Sequence, residues 1–166
     1  NNLHHYGAYI SLIQISDNKN NYVVDILKVI ELKPLIKILQ DKEIQKIFHG
    51  SDFDLRILNH QLKCKPKNVF DTQIAAQLLG KTEIGLGALI KNYFNVEKIK
   101  KFQRADWTKR PLTEEMLDYA SGDTIYLIRL RDVLVKELKQ KNRLPWVKED
   151  FLVLEKKEWK YEEGTF

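Results

Sequence analysis

The chain has 166 residues, 43% hydrophobic and 31% charged, the balance of one soluble globular domain with a sizeable core. Its net charge of +5 permits a polyanionic partner without requiring one. A single cysteine, Cys64, excludes an intrachain disulfide and a cysteine-based zinc site; no apolar run approaches the roughly 20 residues of a membrane span, and Asn1–Tyr6 has no apolar signal-peptide stretch. A reducing, cytoplasmic setting away from the membrane is the simplest expectation.

Tyr9–Ile15 and Tyr22–Ile26, rich in β-branched and aromatic residues, predict two strands, and Asp17–Asn21 between them predicts the turn of a hairpin. Leu32–Leu39 reads as a short helix and Ile44–Phe48 as a third strand. Ser51 is placed to cap a helix running to about Gln61. Asn68–Phe70 is a short strand, after which Asp71 can cap a helix over Thr72–Leu79. Gly85-Leu-Gly87 breaks the chain before a short helix, Ala88–Tyr93; residues 95–111 look irregular and basic. A long helix is expected from about Glu114 to Lys139, and an amphipathic one over about Trp146–Lys157, a C-terminal extension of about 146–166 in an otherwise single domain. Strands in a hairpin, then strands alternating with helices, indicate an α/β domain around a mixed sheet.

The predicted helix at Glu114 has Thr113 as N-cap, Leu112 and Leu117 as a candidate hydrophobic staple, and Glu114 and Glu115 in its first turn. Leu117, Ala120, Thr124, Leu127, Leu130 and Leu134 recur at helical spacing and predict its buried stripe. Tyr119 and Asp123 lie four residues apart, hence on one helix face. A carboxylate that can hold a metal and a hydroxyl that can orient a water would then face the same space. On spacing alone, a buried tyrosine beside a surface aspartate fits as well. Gly122 costs about 1 kcal/mol relative to alanine in a helix interior and suggests close packing there.

Asp54 falls in the first turn of the helix that follows the third strand, where α/β folds place functional groups. Ser51-x-x-Asp54 also reads as a capping box, Asp52 is a second first-turn acid, and His49 fits a satisfied core histidine. Between Lys91 and Arg110, seven cations face only Glu97 and Asp106, with Phe102 and Trp107 interleaved. Cations can neutralise phosphates and aromatic faces can stack on bases; a solvated loop with Trp107 in the core fits equally.

Four blocks taken together resemble one family in order and spacing. They are Lys46-Ile-Phe-His-Gly-Ser-Asp-Phe-Asp54-Leu, Val69-Phe-Asp-Thr72, Gln103-Arg-Ala-Asp-Trp-Thr-Lys-Arg-Pro-Leu112 and Tyr119-Ala-Ser-Gly-Asp123-Thr. The family is that of the ribonuclease D-type 3′–5′ exonucleases, in the tyrosine branch of the DEDD superfamily. The resemblance implies a ribonuclease H-like mixed sheet flanked by helices. It implies removal of nucleotides from the 3′ ends of single-stranded RNA by two divalent ions, Mg2+ or Mn2+. Tyr119, Asp54 and Asp123 become the catalytic candidates, and Asp54 and Asp123 the metal ligands. Lys100, Gln103 and Arg110 become candidate nucleic-acid contacts. Precursors of tRNA are one candidate substrate, and DNA is an alternative.

The family's first motif, Asp-x-Glu at the end of its first strand, has no counterpart, since no acid precedes Asp17. Either the motif and its strand lie ahead of Asn1, or the chain is a degenerate member that binds nucleic acid or acts as a scaffold without cutting. The first is favoured, because that strand lies inside the family's sheet and its loss would strand two rows of backbone groups. On this reading residues 1–166 alone are expected to have little nuclease activity.

Overall fold

The computed structural model of the chain describes residues 9–98 and 101–158. The β-branched and aromatic residues flanking Asp17–Asn20 pair as an antiparallel hairpin, β1 (Leu12–Ser16) with β2 (Asn21–Asp25), Ile13 opposite Val24. Asp17 closes the turn by accepting from the backbone N–H groups of Lys19 and Asn20, both at 2.7 Å. After α1 (Lys33–Gln40), β3 (Lys46–Phe48), α2 (Asp52–Leu62) and β4 (Val69–Asp71) make a β–α–β unit in which β4 runs parallel to β3. Then come α3 (Thr72–Leu78), α4 (Leu86–Phe94), α5 (Glu114–Ser121), α6 (Leu127–Gln140) and α7 (Leu144–Leu154). Gly85 caps α4 as a chain breaker should, but Gly87 lies inside its first turn.

The strands form two pairs, and among the described residues no ladder joins them into one sheet. The same layer nevertheless holds both: Ile13 of β1 and Phe48 of β3 pack into one cluster with Leu39, Leu58 and Cys64. The hairpin is covered by α5 and β3 by α6.

The single long helix expected over 114–139 is two helices. Between α5 and α6, residues 122–126 form turns in which Asp123 N–H bonds Ala120 O at 3.2 Å and Thr124 N–H bonds Ser121 O at 3.3 Å. Gly122 weakens the helix here, and two hydroxyls compete for its carbonyls: Ser121 Oγ donates to Asp118 O at 2.9 Å and Thr124 Oγ1 to Ser121 O at 3.4 Å. Leu117, expected in the buried stripe, is exposed, and α5 buries only Ala120. In α6, by contrast, Leu127, Leu130, Leu134 and Leu138 all point inward. Full burial of such side chains stabilises by about 1.5–3 kcal/mol each. Val147, Phe151 and Leu154 of α7 join the same core, and the Phe151 ring lies 4.8 Å from that of Phe70 on β4. The last helix is therefore integral to the packing of the domain, and it ends at Leu154, before the expected Lys157.

One buried charge joins the ends of β3 and β4. Asp71, 1% exposed, ends β4 and caps α3 as expected, accepting from Gln73 N–H at 2.8 Å and Ile74 N–H at 3.3 Å. It also accepts from Gly50 N–H at 3.1 Å, and from both the N–H and the hydroxyl of Ser51 at 2.7 Å. Ser51 thus occupies the N-cap of α2 but spends its hydroxyl on Asp71, not on its own helix. Gly50 holds φ +65°, and a Cβ there would meet the Gln73 side chain at 3.0 Å, so the turn needs glycine. Replacing Asp71 by alanine leaves several buried donors without an acceptor. Asp71→Ala is expected to lose at least about 3 kcal/mol in urea unfolding; a loss below about 1 kcal/mol would show that water replaces the carboxylate.

Candidate active site

Asp54 stands in the first turn of α2, just beyond the C-terminal end of β3. The capping-box reading fails, because the Ser51 N–H that Asp54 would take is bonded to Asp71. Asp52, the neighbouring acid, pairs with Arg56 and, at 3.0 Å, with Lys157. The Asp54 carboxylate, by contrast, takes no hydrogen bond or ion pair from the described residues. Water reaches it, since its side chain is exposed, yet protein atoms crowd around it. Burial pushes its pKa up from 3.8 to about 6, and the Asp71 charge adds to the rise.

Tyr119, on α5, is half-buried between two rings: Trp107 stacks on it at 6.0 Å and Phe102 meets it edge-on at 5.8 Å. Trp107 is thus half-buried against Tyr119 and outside the main core cluster, contrary to its expected place in the core. Burial raises the Tyr119 pKa and the charge of Asp123 raises it further, so the phenol keeps its proton at neutral pH and acts as a donor. Asp123 itself lies in the turn between α5 and α6, still close enough to act on Tyr119 although the helix is broken there. The turn is tied to the hairpin through Ser16 Oγ and Thr124 Oγ1, 2.6 Å apart. The ammonium of Lys98 holds Asp123 by a hydrogen-bonded ion pair. His49 meets the expectation of a satisfied histidine only in part: its Nδ1 lies 2.9 Å from Thr72 Oγ1, but its buried Nε2 has no hydrogen-bond partner among the described residues; burial lowers its pKa, leaving it neutral.

Much of the basic segment's charge is met internally. Lys91 pairs with Glu97 at 2.6 Å and Lys101 with Glu115 at 2.5 Å. Arg110, a candidate nucleic-acid contact, forms a two-pronged pair with Asp25 at the end of β2, at 2.7 and 2.6 Å. Its remaining nitrogen bonds the carbonyls of Trp107 and Lys109. The guanidinium therefore tethers the segment to the hairpin, and its hydrogen bond and charge hold Asp25 below the usual carboxylate range. Gln103 is exposed and open to a partner. Lys100 lies outside the described residues. Two groups escaped sequence reasoning in their full role. Asp71 was legible only as a cap, and Lys98 is separated from Asp123 by 25 residues, beyond any local pattern.

Carboxylate oxygens suit Mg2+ or Mn2+. Asp54 offers a solvent-accessible carboxylate on which the Asp71 charge acts, as a cation ligand can. However, no cluster of three or more acidic, histidine or cysteine side chains forms among the described residues, and Asp123 is already engaged. These residues alone do not make a two-metal site.

Residues 1–139 match the profile of a family described as 3′-5′ exonuclease. Ribonuclease D of Zymomonas mobilis is 37% identical over 148 residues, covering 87% of this chain and 38% of that protein. The crystal structure of Escherichia coli RNase D, described as an exoribonuclease involved in structured RNA processing, superposes with a TM-score of 0.83 at 30% identity, over 87% of this chain and 39% of that one. Brucella melitensis NrnC with bound Mg2+ gives a TM-score of 0.82 at 30% identity, over 90% of this chain and 74% of that one. The chain thus spans well under half the length of the ribonuclease D proteins it matches. These neighbours bear out the ribonuclease H-like fold.

The raised pKa of Asp54 has a signed consequence for stability. Between 3.8 and about 6 the folded carboxyl binds more protons than the unfolded one, so stability falls as pH rises through that window. Asp54→Asn removes this loss. In EDTA, urea unfolding is expected to show the variant gaining about 1 kcal/mol on wild type between about pH 4.5 and about pH 7, a modest figure because water screens the group. An unchanged difference between the two pH values would contradict the perturbed carboxyl.

Proposed function

Because the chain belongs to the 3′–5′ exonuclease family, we propose that it hydrolyses phosphodiester bonds from the 3′ ends of single-stranded RNA, in a cytoplasmic setting. Precursors of tRNA fit as substrates, and a DNA-directed activity would use the same chemistry. The observation that carries the reading is Asp54. It is a carboxylate in the first turn of α2, without a hydrogen bond or ion pair from the described residues, whose pKa is raised by the surrounding protein and further by the buried Asp71 charge. Such a pair of acids is relieved by a cation. Asp54 and Asp123 are the proposed ligands of Mg2+ or Mn2+, with further acids supplied from outside the described residues. Divalent ions at such a site offset phosphodiester charge, activate water and stabilise the leaving oxygen. Tyr119, protonated and packed between Trp107 and Phe102, presents a fixed hydroxyl that can orient a water. Lys100, Gln103 and Arg110 are the proposed substrate contacts; Arg110 would have to share or release Asp25. The domain is proposed to comprise residues 1–166.

A second reading, a nucleic-acid-binding or scaffold domain without catalysis, draws on the pairing of Asp123 with Lys98 and the lack of a three-acid cluster among the described residues. One assay separates the two. In the full-length protein with Mn2+, 5′-labelled single-stranded RNA is expected to shorten stepwise. Asp54→Asn and Asp123→Asn should each slow shortening by about 100-fold or more and Tyr119→Phe by about tenfold or more, all with unchanged circular dichroism. Residues 1–166 by themselves should cleave little. Metal-independent, salt-sensitive RNA binding with no shortening would establish the second reading. Wild-type rates in all three variants would overturn the assignment of roles.

A further inference from the structure

The partner of Asp123 carries more than a structural role. Lys98 follows α4, and its stem lies near Gly87 in the first turn of that helix, 4.0 Å from where a Cβ on Gly87 would sit. From there the side chain turns inward to Asp123. The lysine side chain is 19% exposed and the carboxylate 41%, so the ammonium is sequestered while the carboxylate keeps one side open. Lys101, three residues further along the chain, differs: its pair with Glu115 is 62% and 69% exposed, an ordinary solvated contact. The charge of Lys98 also bears on His49 at the end of β3. The ammonium therefore sits against the α5–α6 turn, on the carboxylate that the exonuclease reading assigns to a cation.

Resting on that reading of Asp123 as a metal ligand, we propose that Lys98 is an internal competitor of the divalent ion. It neutralises Asp123 in the metal-free protein and must leave the carboxylate before a metal is held there. Lys98 donates to Oδ1 alone, so the competition is for the charge of the carboxylate: two cations at one carboxylate repel. Lys98 then keeps the turn between α5 and α6 from carrying an uncompensated charge, and sets a threshold of metal concentration below which the site stays closed to metal.

The test is a Mn2+ titration of the full-length protein, followed by the EPR signal of free Mn2+. Lys98→Met keeps the stem against Gly87 and removes the charge; Lys98→Gln is a second neutral variant should the first fold poorly. Both are expected to bind Mn2+ about threefold to tenfold more tightly than wild type. Lys98→Arg, which keeps the charge, should stay near wild type. In an Asp123→Asn background, neutralising Lys98 should no longer change Mn2+ affinity. Unchanged or weaker binding in the neutral variants, while Asp123→Asn still weakens Mn2+ binding, would overturn competition and leave the exonuclease reading standing, with Lys98 a tether. Mn2+ binding indifferent to Asp123→Asn would overturn both.

Discussion

The carboxylate of Asp71 is the constraint on which the rest of this domain depends. It is a buried charge, and it persists as a charge only because it collects hydrogen bonds from both sides of a strand pair. Burial alone would raise its pKa; the bonds from Ser51, Gly50 and Ile74 outweigh that and hold it low. Through these bonds one side chain fixes the turn after β3, the start of α2 and the start of α3. The position of Asp54 follows, because α2 begins where Gly50 and Ser51 are pinned. Its charge state depends on Asp71 in part, because the Asp71 charge adds to the rise that burial causes.

The second half of the site obeys a different logic. Asp123 sits where a helix fails to continue, and the failure has local causes in Ser121, Gly122 and Thr124. Around it the basic segment is strapped down by opposite charges and rings. Arg110 is held by Asp25, Lys101 by Glu115 and Lys98 by Asp123, while Phe102 and Trp107 enclose Tyr119. Its cations stabilise the segment's own placement, so a nucleic acid must compete with those acids for them.

The hairpin, the β–α–β unit and the acids at their strand and helix ends were legible because local patterns encode them: β-branched runs, Asp17 at a turn, Asp71 ahead of a helix. The α5–α6 break was not, since an apolar stripe at helical spacing continues through Gly122 and hides the competing hydroxyl bonds. Ser51-x-x-Asp54 misled for a related reason. A capping box and a serine drawn to a buried aspartate 20 residues on share one sequence, and only the parallel pairing of β3 with β4 decides between them. Likewise Arg110–Asp25 and Lys98–Asp123 are long-range pairs, so composition showed the cations but not their partners.

Asp54 and Asp123 are proposed to serve one divalent cation site. Anomalous scattering from crystals of the full-length protein grown with Mn2+ tests it most directly. The account predicts Mn2+ density within coordination distance of both carboxylates, with Lys98 withdrawn from Asp123. Mn2+ at neither carboxylate, or at a site distant from both with the Lys98–Asp123 pair intact, would contradict it.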